Sequence, residues 1–420
     1  MLFSSSTSQR PIQNASVPQL VPTFLQKFIT LWSESDSGRP LLTPNYTIRE
    51  QVAQEAHLKQ FVDTVTSELT RHSRTKSGRQ AMQERILAAF GIFAKSGLGF
   101  EERQLALLLS HGFIQVASEF AQMARRFDPL VSDSDIFQAS RNAWVMNGLQ
   151  LLLGLPVTLT PAIFAYSMLY PYTDNYLDDP TISVDRKSAF NERFALRLAG
   201  EQITATNSHE QKTYDLVGMI EGQFERSHYP QVFESLLEIH RAQNKSLRLL
   251  HHPDETNVLE IGFEKGGTSV LADGYLVAGS LTEAQAEFIF GYGVLLQLAD
   301  DLRDVPQDRQ DGILTIYSQT AAHSPLDALA NRTFHFGAKV LENVDCFDAS
   351  ELKPTQELIQ RSIVLLLLDA IAATHPLYSP PYLREIEIFS PFRFSILRKQ
   401  RQKLVLQNFM LKSMYNSITK

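Results

Sequence analysis

The chain has 420 residues, 44% of them hydrophobic and 20% charged, a composition of ordinary globular proteins that is compatible with one large helical core. Its 39 basic and 46 acidic side chains give a formal net charge of −7, which argues against the broad electropositive surface that sequence-independent nucleic-acid binding needs, so no nucleic-acid partner is expected. The single cysteine, Cys346, excludes an internal disulfide, and no CxxC or Cys/His cluster offers a zinc site; a reducing, cytoplasmic compartment fits.

Met1–Val17 is rich in Ser, Thr and Gln and has no basic region leading into an apolar stretch, so it does not read as a secretory signal. Residues Met1–Asn45, punctuated by Pro11, Pro18, Pro22, Pro40 and Pro44, read as a flexible leader in which Phe24–Trp32 could dock as one short helix. From Tyr46 to Phe127 apolar residues recur at steps of three and four, as in Ile86, Leu87, Phe90 and Phe93, which is helical periodicity. Pro156, Pro161, Pro171, Pro180, Pro230, Pro253, Pro306, Pro354 and Pro376 read as stops between helices of roughly 12 to 25 residues. Strand-like alternation is nearly absent and no fixed repeat marks a solenoid, so the predicted fold is an all-α antiparallel bundle. No run reaches the ~18 to 20 apolar residues of a membrane span, and the richest, Ile363–Ala373, is broken by Asp369.

Two acidic clusters stand out along this bundle. In the first, Asp174 and Asp178 lie four apart, on one helix face, with Asp179 just before Pro180; like charges then meet at the negative end of a helix dipole. In the second, Asp300, Asp304 and Asp308 form an i, i+4, i+8 stripe bordered by Asp301, after an apolar stretch from Phe288 to Leu296. Local electrostatics opposes both clusters, and such local inconsistency is where function is expected. Mg²⁺ resolves it: this cation prefers carboxylate oxygens and is commonly held by one or two of them together with substrate phosphates. Two clusters facing each other across a bundle could thus hold a diphosphate through bridging metals. A solvated helix terminus with salt bridges, such as Arg303 to Asp304, explains either cluster alone more readily than both.

Between the clusters, Arg241, Lys245 and Arg248 share a helix face and could sense a diphosphate, although a solvated basic stripe is the simpler reading. His251 and His252 precede Pro253 and look like a helix end. Lys265, placed at a Gly266-Gly267 break, could bring a point charge to a phosphate, or be the solvent lysine of a turn that ends a helix. Tyr172, Tyr176, Phe288, Phe290, Tyr292 and Tyr317 flank the clusters and could stabilise a carbocation, or be plain core. His335 reads as a satisfied core histidine. Residues 384–420 are strongly basic; a terminal helix closing the bundle is favoured over peripheral membrane contact.

The stretch from Gly291 through Gln297-Leu298-Ala299-Asp300-Asp301-Leu302-Arg303-Asp304 to Asp308 resembles the second aspartate-rich region of class I isoprenoid synthases. It satisfies the DDxxD pattern of trans-prenyltransferases, is similar to the QLxNxxRDxxED pattern of squalene and phytoene synthases, and keeps the spacing of the terpene cyclase NDxxSxxxE triad with Asp at each ligand position. The first cluster is nearer the DxxxDD of squalene and phytoene synthases. Glu264–Thr268 resembles the lysine-containing turn that touches diphosphate in prenyl elongases. No segment matches the elongase GxKxRP motif; Ser77-Gly78-Arg79 is the nearest. The resemblance spans about Tyr46 to Leu397.

It implies an isoprenoid synthase-like bundle over residues 46–397 around a central apolar cavity, followed by a basic helix over 398–420. The implied activity is a Mg²⁺-dependent terpene synthase that ionises a prenyl diphosphate, with three Mg²⁺ ions and Mn²⁺ as substitute. Head-to-head condensation of the squalene or phytoene type, chain elongation, and a non-catalytic lipid-binding scaffold are the alternatives. The implied metal ligands are Asp174, Asp178, Asp179, Asp300, Asp301, Asp304 and Asp308. Asp174, Asp178, Asp300 and Asp304 would carry catalysis, and Lys265, Arg303 and Arg248 would contact the diphosphate. A homodimer is compatible with these readings.

Overall fold

The computed structural model describes residues 15–70, 76–109, 111–179, 181–246, 257–347 and 352–399. Within them the secondary structure is helical throughout, as the apolar periodicity predicts. None of the described helices is long and apolar enough to cross a membrane. The basic segment over 398–420, like Arg248, His251 and His252, falls almost entirely or entirely outside the described residues.

The centre of the molecule is a pair of long helices, α11 (Val258–Ala278) and α12 (Glu283–Asp311), joined by a short connection and therefore antiparallel. Thr282 caps α12 by accepting from the Gln285 amide, while Gln285 returns a bond to the Thr282 amide, satisfying two otherwise orphan donors. The pair approaches closely because Gly266 faces Gly293: a methyl group at Gly266 would run into the Gln297 side chain and stand 2.8 Å from the Gly293 carbonyl oxygen. Around this pair lie α10 (Pro230–Ser246), α6 (Asp133–Leu152) and α7 (Pro161–Asp178) on one side, with α14 (Asp327–Glu342) and α15 (Leu352–Ala373) on the other; the remaining helices complete the bundle.

Three expectations need correction. The first concerns the N-terminal segment: α1 (Val17–Ser33) is no part of a flexible leader but a core helix, burying Phe24, Phe28 and Trp32 among α10, α11, α12 and α14. Its aromatic face is answered by Phe290, with ring centroids 5.8 Å from Phe24 and 5.9 Å from Phe28, and by Phe336 against Trp32 at 5.6 Å. Its Ser and Pro content misled because Pro18 falls in the first turn, where its missing N–H costs nothing, and Ser16 is the cap. Second, Lys265-Gly266-Gly267 is not a turn but the middle of α11, its glycines serving close helix packing. Third, two of the prolines read as stops do not separate helices: Pro171 and Pro306 lie inside α7 and α12. The second acidic cluster therefore lies within the second half of a continuous helix, which ends only at Gly312, in the left-handed conformation with φ 73°.

Candidate functional site

Helix α7 begins at Thr160, whose side chain accepts from the Ile163 amide, with Pro161 in the first turn, and it ends at Asp178. Tyr166, Tyr170 and Asp174 follow one another at four-residue steps and so share one face. Opposite stands α12 with the second cluster, and between them run α10 and α11. They line a cavity of about 200 Å³ with Asp174 from α7, Gln243 from α10, Lys265 from α11, and Gln297 and Asp301 from α12, among apolar side chains that include Leu177, Val258, Ile261 and Leu314. The two acidic clusters, 126 positions apart at Asp174 and Asp300, thus reach one cavity, one residue from each lining it directly.

Asp174 is half-buried and accepts hydrogen bonds from the Gln243 amide and the Thr173 hydroxyl, both at 3.1 Å. The Asp174 charge, seconded by burial, pushes the phenol of Tyr170 above its ordinary value. Across the cavity Asp301 accepts from the Gln297 amide at 2.7 Å. Burial pushes the Asp301 carboxyl up to about 7, and the nearby charges of Asp308 and Asp300 add to it. Asp308, buried one face-repeat further along α12, is also raised to about 7, by burial and then by Asp304, Asp300 and Asp311. Lys265 opposes both shifts electrostatically. It makes no ion pair within 4 Å among the described residues, so its ammonium is a cation facing an anionic cavity without a salt-bridge partner.

The other expected site residues are placed differently. Asp300 and Asp304 do not line this cavity; each is about half exposed, and they are bridged by Arg303, which pairs with Asp300 and stands 3.2 Å from Asp304, while the Asp300 charge also acts on Tyr170 of α7. Arg141 of α6 reaches Asp300 from the side at 3.7 Å. Asp179 turns away from the cavity to accept from the Thr181 amide at 2.8 Å and hydroxyl at 2.7 Å. Asp178 is the last residue of α7. Lys245 is held by Glu264 at 2.6 Å and Glu260 at 3.0 Å, and Arg241 pairs with Glu238, so these two are occupied by carboxylates.

None of the six aromatics expected to flank the site lines this cavity. Tyr172 is buried and donates to Asp128 at 2.5 Å, Tyr176 stacks on His209, and Phe288, Phe290 and Tyr317 are core residues. Tyr166 and Tyr170 take the place expected of them. With Leu169, Thr173, Phe194, Leu198, Leu236, Ile239, His240 and Ser269 they surround a second, mostly apolar cavity of about 30 Å³, room for about two waters, and Gln243 lines both cavities. Burial pushes His240 down to about 4, so its ring is neutral near pH 7, and its Nε2 lies 3.0 Å from the Asn244 amide nitrogen. Deeper still, Asp273 is fully buried, accepts from Asn142 at 3.0 Å through one oxygen, and is pushed well above the carboxylate range by burial. Sequence reasoning missed Gln243, Tyr166 and Tyr170, although the four-residue steps back from Asp174 were a readable signal for the two tyrosines.

Among the described residues no three His, Cys, Asp or Glu side chains converge as a ready-made metal cage. The donors at the cavity are all oxygens on opposite walls, which suits Mg²⁺ held by one or two carboxylates and completed by phosphate oxygens, rather than by protein alone. The chain matches no family model, no curated protein and no solved structure.

Proposed function

We propose that this protein is a Mg²⁺-dependent class I isoprenoid synthase, most nearly a terpene synthase, acting on a prenyl diphosphate. The observation that carries the proposal is the cavity that Asp174 and Asp301, from two acidic helices, line together with Lys265 and apolar side chains, next to a smaller, mostly apolar pocket. A prenyl diphosphate has this division of chemistry: a polyanionic head that needs cations and an apolar tail that needs a dry wall.

In this reading Asp174 and Asp301, which line the cavity, with Asp308 two turns further along α12, are the carboxylates that would hold Mg²⁺. When bound, Mg²⁺ neutralises the charge that builds on a departing diphosphate. Lys265 donates a charge-assisted hydrogen bond to a phosphate oxygen and favours the separated charges of ionisation over the intact ester. Arg303 and Arg141, which pair with Asp300, would contact the diphosphate as it departs. Tyr166 and Tyr170 turn aromatic surface toward the apolar pocket, where the face of a ring attracts a desolvated cation by about 2 kcal/mol. One cavity joining both walls favours a single bound substrate over the two that head-to-head condensation or elongation requires. A helical scaffold that binds lipid without turnover draws its support from the small size of the apolar pocket.

Incubation of the purified protein with Mg²⁺ and geranyl, farnesyl or geranylgeranyl diphosphate tests the reading. We expect release of inorganic diphosphate and a terpene product by gas chromatography and mass spectrometry. Folded protein that releases diphosphate from none of the three overturns it.

A further inference from the structure

Gln243 is the side chain common to the two cavities. Its amide nitrogen donates to Asp174 Oδ1 at 3.1 Å, and Asp174 lines the larger cavity while its helix neighbours Tyr170 and Thr173 line the smaller. The hydrogen bond therefore lies at the partition between the larger cavity, which holds the charged groups Asp174, Lys265 and Asp301, and a smaller pocket. The pocket behind it, at about 30 Å³, has no room for a hydrocarbon tail as it stands.

We infer that Gln243 is the gate between head and tail sites, and that Asp174 holds it shut. This inference rests on the proposed prenyl diphosphate site. Asp174 accepts from the Gln243 amide and also lines the chamber, so a cation drawn to Asp174 by a diphosphate competes with the Gln243 amide for its carboxylate. Loss of that acceptor leaves the amide with no reason to stay between the chambers, since a polar group without a partner is costly beside an apolar wall. Rotation of one side chain of α10 then joins the two spaces along the line from Lys265 to Phe194. Head binding thereby licenses tail binding, and a prenyl alcohol, which has the tail but not the head, is turned away by the resting protein. Gln243 is on this view a positioning residue that selects for the diphosphate ester.

Equilibrium dialysis with radiolabelled farnesol tests the gate without relying on turnover. The wild-type protein is expected to bind farnesol weakly alone and about tenfold more tightly with Mn²⁺ and inorganic diphosphate together. Gln243→Ala, and Gln243→Glu, which keeps the side-chain size and replaces the donor by a group that Asp174 repels, are expected to bind farnesol about tenfold more tightly than wild type with no addition. Wild type that binds farnesol equally with and without Mn²⁺ and diphosphate overturns the gate. So does a folded Gln243→Glu protein that binds farnesol no better than wild type. If farnesol fails these tests while the wild type still releases diphosphate from a prenyl diphosphate, the gate alone is wrong. If the folded wild type releases none, the prenyl diphosphate reading falls and the gate falls with it.

Discussion

Asp301 and Asp308 are the residues whose protons matter most, because burial and the charges of neighbouring aspartates raise both to about 7. The folded chain keeps these protons to a higher pH than the unfolded chain does. The stability they contribute is full below the ordinary carboxylate range and is lost as the pH rises through about 7. Asp301→Asn should therefore raise the melting temperature at about pH 8 and change it much less at about pH 5, and a variant no more stable than wild type at the higher pH would contradict this. For the same reason Mn²⁺ affinity, followed by electron paramagnetic resonance, should fall as the pH drops through about 7, because protons then occupy the oxygens the metal needs. Lys265→Gln should weaken the binding of inorganic diphosphate in the presence of Mn²⁺ by about tenfold, the order of one charge-assisted hydrogen bond; unchanged binding by calorimetry would place the lysine outside the site. The residue types and their spacing were legible in the sequence. Which carboxylates of α12 turn inward was not: Asp301 lines the cavity while its neighbour Asp300 does not, and that rotation is set by packing against another helix.

At the scale of elements, the packing that sets this rotation is the Gly266–Gly293 contact between α11 and α12. Two glycines in sequence suggest a break, yet here they are helical and small so that two backbones can meet; only the partner helix, far away in sequence, reveals this. Gly266→Ala should force the helices apart and cost about 1 to 3 kcal/mol in chemical denaturation, the usual penalty of overpacking. It should also loosen the spacing between Lys265 and Asp301, so that diphosphate affinity falls along with stability. A Gly266→Ala protein as stable as wild type would show that the contact is not tight. The helical periodicity that predicts an all-α chain is local, and was therefore visible; helix ends marked by proline were less so, since Pro171 and Pro306 are accommodated inside α7 and α12.

Across the whole molecule, the site has no counterpart in any short stretch of chain, because its walls come from α7, α10, α11 and α12. The acidic clusters announced themselves by charge, whereas Gln243, which belongs to no motif, could be found only once the helices were assembled. The correction to the N-terminal segment has the same origin: α1 finds its partners in Phe263, Phe290 and Phe336, far along the chain. Deleting residues 1–45 should leave a protein that aggregates or melts early, where loss of a mere leader would change nothing, and circular dichroism with thermal melting decides between these. There is also a consequence for how the protein is made. During synthesis α1 emerges before the helices it packs among, the earliest of which, α10, begins about 200 residues after Trp32, or about 10 to 40 s at ordinary elongation rates. Until then Phe24, Phe28 and Trp32 lack the surface that buries them in the folded protein, and the nascent chain presents an adhesive segment that a chaperone at the ribosome could meet.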